Sequence, residues 1–242
     1  MKLTIDIGNT QIKIGVFDKF QLIDSICFDN SQNINQQFES IKKYNFSTAI
    51  ISSVVPSLTL QYKQKILKSL KIDSFIISSK NCKINLQVPA PETVGADRIC
   101  NVAAALKMYS TPAIIVDFGT ATTYDVVNKK GDFIGGIIAP GIKTSAYNLI
   151  KKAALLNTTE LIFPKNIIGK NTTENIQSGI MYGAVDQIEG MVKRIDKETQ
   201  TNNNIILTGG FSKIIASKLS IDHILDMDLT LKGMVFINES NY

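Results

Sequence analysis

The chain has 242 residues, 44% hydrophobic and 19% charged, enough for one large domain or two small ones. A single histidine, His223, and three widely spaced cysteines, Cys27, Cys82 and Cys100, exclude His-rich zinc centres, a disulfide framework and a cysteine zinc ribbon. The net charge of +5 comes from lysines scattered along the chain, which predicts a solvated surface rather than a nucleic-acid face. With no tryptophan, the chemistry must rest mainly on carboxylates, hydroxyls, backbone amides, lysine and only two arginines, Arg98 and Arg194. No apolar run approaches the ~20 residues of a membrane helix. The opening run Leu3–Ile7 lacks a charged-then-apolar signal pattern. The expectation is a soluble, cytoplasmic protein with reduced thiols and neither nucleic-acid nor membrane partners.

In chain order, residues 2–8 read as a buried strand and 11–17 as its hairpin partner, with a third strand over 21–28. A helix is predicted over 31–44, a β-branched strand over 49–55, and a helix over 57–70 with Leu58, Tyr62, Ile66 and Leu70 on one face. A short strand covers 74–78. Pro89 and Pro91 make 85–94 a loop, and 96–109 is helical. The pattern then restarts: a strand over 113–116, a second from Thr122, a turn at Lys129–Asp132 and a return strand over 133–138. Helices are predicted over 142–156 and 173–198, the latter with Ile176, Ile180, Ala184, Ile188, Met191 and Ile195 on one stripe and Asn171 with Glu174 at its start. A strand over 205–207 ends in Thr208-Gly209-Gly210 and leads into a helix.

The restart is an internal repeat. Residues 3–8 (Leu-Thr-Ile-Asp-Ile-Gly) and 114–119 (Ile-Ile-Val-Asp-Phe-Gly) are both apolar strands ending in Asp, an apolar residue and Gly, then hydroxyl or amide residues. Two homologous halves, 1–110 and 111–242, explain it and would set the two Asp-Gly turns face to face across a cleft. Asp6-Ile7-Gly8-Asn9-Thr10 is either an ordinary hairpin turn or a phosphate nest. Asn9, Thr10, Gln11 and Lys13 would then add donors, and Asp6 would hold Mg²⁺. Asp117-Phe118-Gly119-Thr120 offers a cation ligand in Asp117 and a donor to a terminal phosphate in Thr120. In Gly95-Ala96-Asp97-Arg98, Asp97 either caps a helix or takes a proton from a substrate hydroxyl, and Arg98 either pairs on the surface or grips an anionic group. Gly135-Gly136, Pro140-Gly141 and Thr208-Gly209-Gly210 are strand-end turns where backbone can approach a ligand. Thr172, at a helix start, can hold a carboxylate. His223 and the cysteines read as core or surface residues.

These motifs, in this order over nearly the whole chain, resemble those of type III pantothenate kinases. The matching segments are Asp6-x-Gly8-Asn9-Thr10, Pro91-Glu92-x-Val94-Gly95-Ala96-Asp97-Arg98, Asp117-x-Gly119-Thr120-Ala121-Thr122-Thr123 and Gly135-Gly136-x-Ile138-x-Pro140-Gly141. Gly169-Lys170-Asn171-Thr172, Thr208-Gly209-Gly210 and Asp228-Leu229-Thr230-Leu231-Lys232-Gly233 complete the set. The pair Gly-Ala-Asp-Arg and Asp-x-Gly-Thr-Ala-Thr-Thr is the most specific. The resemblance implies an α/β architecture, the actin-like ATPase fold of acetate and sugar kinases, heat-shock chaperones and actin, with duplicated domains of mixed sheets flanked by helices. It implies ATP-dependent phosphorylation of pantothenate to 4'-phosphopantothenate, the first step of coenzyme A synthesis. Carried over, Asp97 is the general base, and Gly95, Ala96, Asp97, Arg98 and Thr172 line the pantothenate site. Asp6, Ile7, Gly8, Asn9, Thr10, Gln11, Ile12, Lys13 and Thr120 hold ATP, with Mg²⁺ at Asp6. Asp117 binds a monovalent cation, K⁺ or NH₄⁺, and the enzyme is a homodimer. Some members carry an aromatic residue shortly before the Pro-x-x-Val-Gly segment; here Leu86-Gln87-Val88 offers none. The alternatives are a kinase for another small hydroxylated substrate, a phosphatase, or a non-catalytic ATP-binding transcriptional regulator.

Overall fold

The computed structural model describes residues 1–152 and 159–241. The chain divides into two compact units. One comprises Met1–Ser110, Gly131–Ile134 and the segment from Asp228 onward; the other comprises Thr111–Lys130 and Gly135–Met227.

The first unit is built on a five-stranded mixed sheet. Its strands are β1 (Lys2–Ile7), β2 (Gln11–Asp18) and β3 (Gln21–Asp29), then β4 (Thr48–Ser53) and β5 (Ser74–Ile76), in the order β3-β2-β1-β4-β5. β1 runs antiparallel to β2 and parallel to β4. Helices α1 (Ile34–Ile41) and α2 (Pro56–Leu70) cover one face. There Leu3, Ile5 and Ile7 pack with Ile12, Ile51, Phe38, Tyr62 and Ile66. Pro56 opens α2, where the missing N–H costs nothing. Of its expected stripe, Tyr62 and Ile66 are buried and Leu58 and Leu70 half-buried. The 85–94 segment is a loop with one 3₁₀ turn at Pro91–Thr93. Helix α3 (Ala96–Met108) follows and packs on the opposite face through Ile99, Cys100 and Ala103.

The second unit repeats the plan. Strands β6 (Ala113–Phe118), β7 (Ala121–Val127) and β8 (Phe133–Pro140), with β9 (Asn204–Gly209) and β10 (Ile224–Leu225), form a sheet of order β10-β9-β6-β7-β8. β6 is antiparallel to β7 and parallel to β9, so it corresponds to β1. Position for position this is the first sheet again, which confirms the internal repeat. Helix α4 spans Ile142–Lys152; the part of its predicted range over 153–156 lies outside the described residues. Helix α5 (Thr172–Thr199) starts as expected, with Asn171 Oδ1 accepting from Glu174 N at 3.0 Å. The Glu174 carboxylate reaches Lys170 N rather than the cap's own amide. The predicted stripe is corrected. Ile176, Ile188 and Ile195 are buried, but Met181, Val185 and Val192 replace Ile180, Ala184 and Met191, which are only half-buried. From Met181 onward the buried line advances by alternating steps of four and three, the tighter fit to a 3.6-residue turn. A short helix, α6 (Ser212–Ala216), follows β9.

Helix α7 (Leu229–Glu239) and strand β10 were not predicted from the sequence. α7 belongs to the first unit, where Leu231, Met234, Val235 and Ile237 pack with Ile99, Cys100 and Ala103 of α3. The two helices come so close that a Cβ at Gly233 would overlap the Cys100 carbonyl oxygen. Helix propensity alone favours alanine over glycine by about 1 kcal/mol. Overpacking typically costs ~1–3 kcal/mol and here meets backbone, which cannot rotate away. Gly233→Ala should therefore lower the urea midpoint of unfolding; a raised midpoint would show that the helices have room to part.

Candidate functional site

In the first unit, Asp6 occupies the next-to-last position of β1. In register it faces Lys13 on β2 and Ser52 on β4. Opposed residues share a sheet face, so all three lie on the side covered by α3 and α7. Ser52 Oγ donates to Asp6 Oδ1 at 2.8 Å. Lys13 Nζ lies 2.9 Å from Asp228 Oδ1 at the start of α7. Beyond Asp6 the hairpin is closed by Gly8 N donating to Gln11 O at 2.9 Å. Asn9, Thr10 and Gln11 are exposed at its tip, and Asn30 anchors that tip through the carbonyls of Asn9 and Thr10. Ile7 and Ile12 are wholly buried core residues, so only their backbone is available to a ligand.

Gly95 is the N-cap of α3 and Asp97 lies in its first turn. Asp97 Oδ1 accepts from Arg98 N at 2.8 Å. The carboxylate folds back over Gly95, where a Cβ would sit 2.5 Å from Oδ1; that contact explains glycine at the head of Gly-Ala-Asp-Arg. Burial pushes the Asp97 carboxyl above the usual aspartate range, and the Arg98 amide and guanidinium pull it only partly back. The Arg98 guanidinium lies 5.6 Å from the centroid of the Phe133 ring. Phe133 is locked to the 85–88 segment by Phe133 N donating to Asn85 O and Gln87 N donating to Phe133 O. Asp132 accepts from the side chains of both Asn85 and Gln87 at 2.9 Å.

In the second unit, Asp117 holds the position on β6 that Asp6 holds on β1. It faces Thr123 on β7 and Thr208 on β9. Gly209 has φ +87°, and a Cβ there would overlap Asp117 Oδ1 and the Phe118 amide. Gly141 is likewise pressed onto the carbonyls of Gly119 and Thr120. Thr120 is exposed at its hairpin tip, and Thr144 Oγ1 donates to its carbonyl at 2.7 Å. Thr172 is exposed in the first turn of α5. Gly135 takes φ +128° within β8. His223 Nδ1 is 2.8 Å from the Ile221 carbonyl. Cys27 is exposed, Cys82 and Cys100 are buried, and all three are free thiols.

The structure thus groups Asp6, Lys13 and Ser52, and orients Asp97 and Arg98 on one helix start. It separately groups Asp117 with Thr123, Thr208 and Gly209. Ser52 escaped the sequence reading, as did the pairing of Lys13 with Asp228, which the sequence offered only as part of a motif. The repeat contained the signal for Ser52, which stands on β4 where Thr208 stands on β9.

A family model described as type III pantothenate kinase matches residues 2–194. A type III pantothenate kinase from Bacillus cytotoxicus is 36% identical over 253 residues, covering 100% of this chain and 97% of the relative. The chain belongs to the type III pantothenate kinase family. It is a kinase that phosphorylates pantothenate with Mg²⁺–ATP in coenzyme A synthesis. A protein from Campylobacter jejuni assigned to the Baf family of transcriptional activators superposes with a TM-score of 0.64 at 20% identity, covering 99% of this chain and 98% of that one. The activator of 2-hydroxyisocaproyl-CoA dehydratase from Clostridium difficile, with bound ADPNP, superposes with a TM-score of 0.58 at 11% identity, covering 99% and 95%. At such identities these two establish the fold, that of the actin-like ATPases. The comparisons do not favour the regulator reading. Among the described residues, no helix of the kinase is long and apolar enough to cross a membrane.

The raised Asp97 carboxyl has a consequence for stability. A folded state that raises an acid's pKa binds the proton more tightly than the unfolded chain does. The contribution of Asp97 is fully present below its unfolded pKa and is lost as pH rises through the folded value. Asp97→Asn keeps an acceptor for the Arg98 amide without the buried charge. It should raise the urea midpoint at pH 7, with the gain vanishing in acid below the unfolded aspartate pKa. A lower midpoint at pH 7 would contradict this account of Asp97.

Proposed function

We propose that Asp97 is the general base of pantothenate phosphorylation. The pantothenate hydroxyl oxygen bonds to the γ-phosphorus, the bond to the ADP oxygen breaks, and the hydroxyl proton passes to the Asp97 carboxylate. The observation that carries this reading is a carboxylate that burial makes more basic and that the Arg98 amide holds at one oxygen. The first property favours taking a proton and the second fixes the direction from which it is taken. In this reading Gly95, Ala96 and Arg98 bind pantothenate with Thr172. Arg98, braced against Phe133, presents a planar fork suited to the pantothenate carboxylate. Residues 6–13 and Thr120 hold ATP, with Ile7 and Ile12 contributing backbone only and Asp6 serving the Mg²⁺ that accompanies the phosphates. Phosphoryl transfer then rests on positioning and charge neutralisation.

Asp117 is proposed to hold K⁺ or NH₄⁺. The donor set fits: a carboxylate beside two threonine positions offers hard oxygen ligands, and Gly209 leaves open the space that a Cβ would fill against Asp117. Such a cation would supply positive charge near the phosphates. The kinase is further proposed to be a cytoplasmic homodimer. Ile167 and Ile168 are 63% and 73% exposed, next to an α5 face where Cβ atoms at Gly179 and Gly183 would meet open space. Burial against a second copy removes that apolar surface from water; light scattering that finds a monomer would contradict it.

Asp97→Asn should reduce kcat by about 10²–10⁴-fold, with KM for pantothenate changed only a few-fold. Near-normal turnover would eliminate Asp97 as the base. Activity should be high in K⁺ or NH₄⁺ buffers and collapse when a bulky organic cation replaces them; full activity without either ion would remove the proposed role of Asp117.

A further inference from the structure

Ser52 is wholly buried at the next-to-last position of β4. It stands across from Asp6 in the parallel register, and its hydroxyl donates to Asp6 Oδ1 at 2.8 Å. A serine hydroxyl carries one proton. Committing that proton to Oδ1 fixes the rotation of the carboxylate about its terminal bond. Thr4, also buried on this face of β1, donates instead to Gly15 O. Ser52 is also in hydrogen-bond reach of Cys100 of α3, a wholly buried thiol that burial, and then the nearby Asp6 carboxylate, push above its ordinary range. Cys100 is itself pinned by the close approach of Gly233. Ser52 therefore sits in a packed layer that includes the helix carrying Asp97 in its first turn. The second unit also places a hydroxyl residue there, buried Thr208 in the same register across from Asp117. A hydroxyl at both equivalent positions points to a shared role, orienting the carboxylate at the end of the central strand.

We propose that Ser52 is a positioning residue that holds the Asp6 carboxylate in the orientation that receives the Mg²⁺ accompanying ATP. This rests on the reading of Asp6 given above. A hydrogen-bond partner behind a metal-binding carboxylate typically contributes 10–100-fold to affinity.

The test is calorimetric titration of the full chain with Mg²⁺ and adenylyl imidodiphosphate, a non-hydrolysable ATP analogue, on wild type, Ser52→Ala, Ser52→Thr and Asp6→Asn. Ser52→Ala should bind the Mg²⁺ complex roughly 10–100-fold more weakly, with KM for pantothenate unchanged. Ser52→Thr, which restores the hydroxyl, should recover most of the affinity. Wild-type affinity in Ser52→Ala together with loss in Asp6→Asn overturns the positioning role alone. Wild-type affinity in Asp6→Asn overturns the reading of Asp6 beneath it. Should Ser52→Ala fail to fold, Ser52→Cys keeps the size with a poorer donor; unchanged affinity there overturns the proposal equally.

Discussion

The candidate site depends on how one central strand is buried. β1 lies between an antiparallel hairpin partner and a parallel neighbour, with Leu3, Ile5 and Ile7 buried on one face. That burial fixes the register, because a slip of one residue would turn all three out and Asp6 in. Asp6 is consequently held on the opposite face, one residue before the strand ends and two before the turn at Gly8. β6 imposes the same condition on Asp117. The hydrophobic alternation that stabilises each sheet is therefore also what aims each carboxylate.

Asp97, the proposed base, is held by a different means. Gly95 lets the Asp97 carboxylate fold back over the start of α3, and a side chain at residue 95 would displace it. The helix start favours the charge, while burial opposes it and dominates. The fold thus carries an ionised Asp97 at some cost to its own stability, the condition expected of the proposed base. The close contact of Gly233 with Cys100 fixes α3 against α7, so a glycine near the C-terminus supports a carboxylate in the middle of the chain. The Asp228-to-Gly233 motif thereby acquires a physical role at each end. Asp228 pairs with Lys13, and Gly233 permits the helices to approach.

Much of this was legible in the sequence. The two Asp-x-Gly strand ends, their hairpin partners and the restart at residue 113 follow from period-two alternation and glycine placement, and the sheets reproduce them. The parts that were not legible have identifiable causes. α5 carries two adjacent apolar lines, one through Ile180, Ala184 and Met191 and one through Met181, Val185 and Val192; only packing selects the second. β10 has two residues, too few for any period. α7 has a glycine at its centre, which argues against a helix locally, yet the approach to Cys100 requires it. Ser52 is one of two adjacent serines in an otherwise apolar run, distinguished from Ser53 only by a register that appears once the sheet is assembled. Arg98 reads from sequence as an anion ligand or a surface pair, whereas its contact with Phe133 depends on residues 85–88 being fastened to the start of β8.

The central claim is that these strand-end carboxylates and the helix-start aspartate serve transfer of a phosphoryl group from ATP to the hydroxyl of pantothenate. The most direct measurement is ADP release by the purified chain in Mg²⁺ and K⁺, with and without pantothenate. The account predicts sustained release that requires pantothenate and yields one phosphorylated pantothenate per ADP. Release at the same rate without pantothenate, or none in its presence, would contradict it.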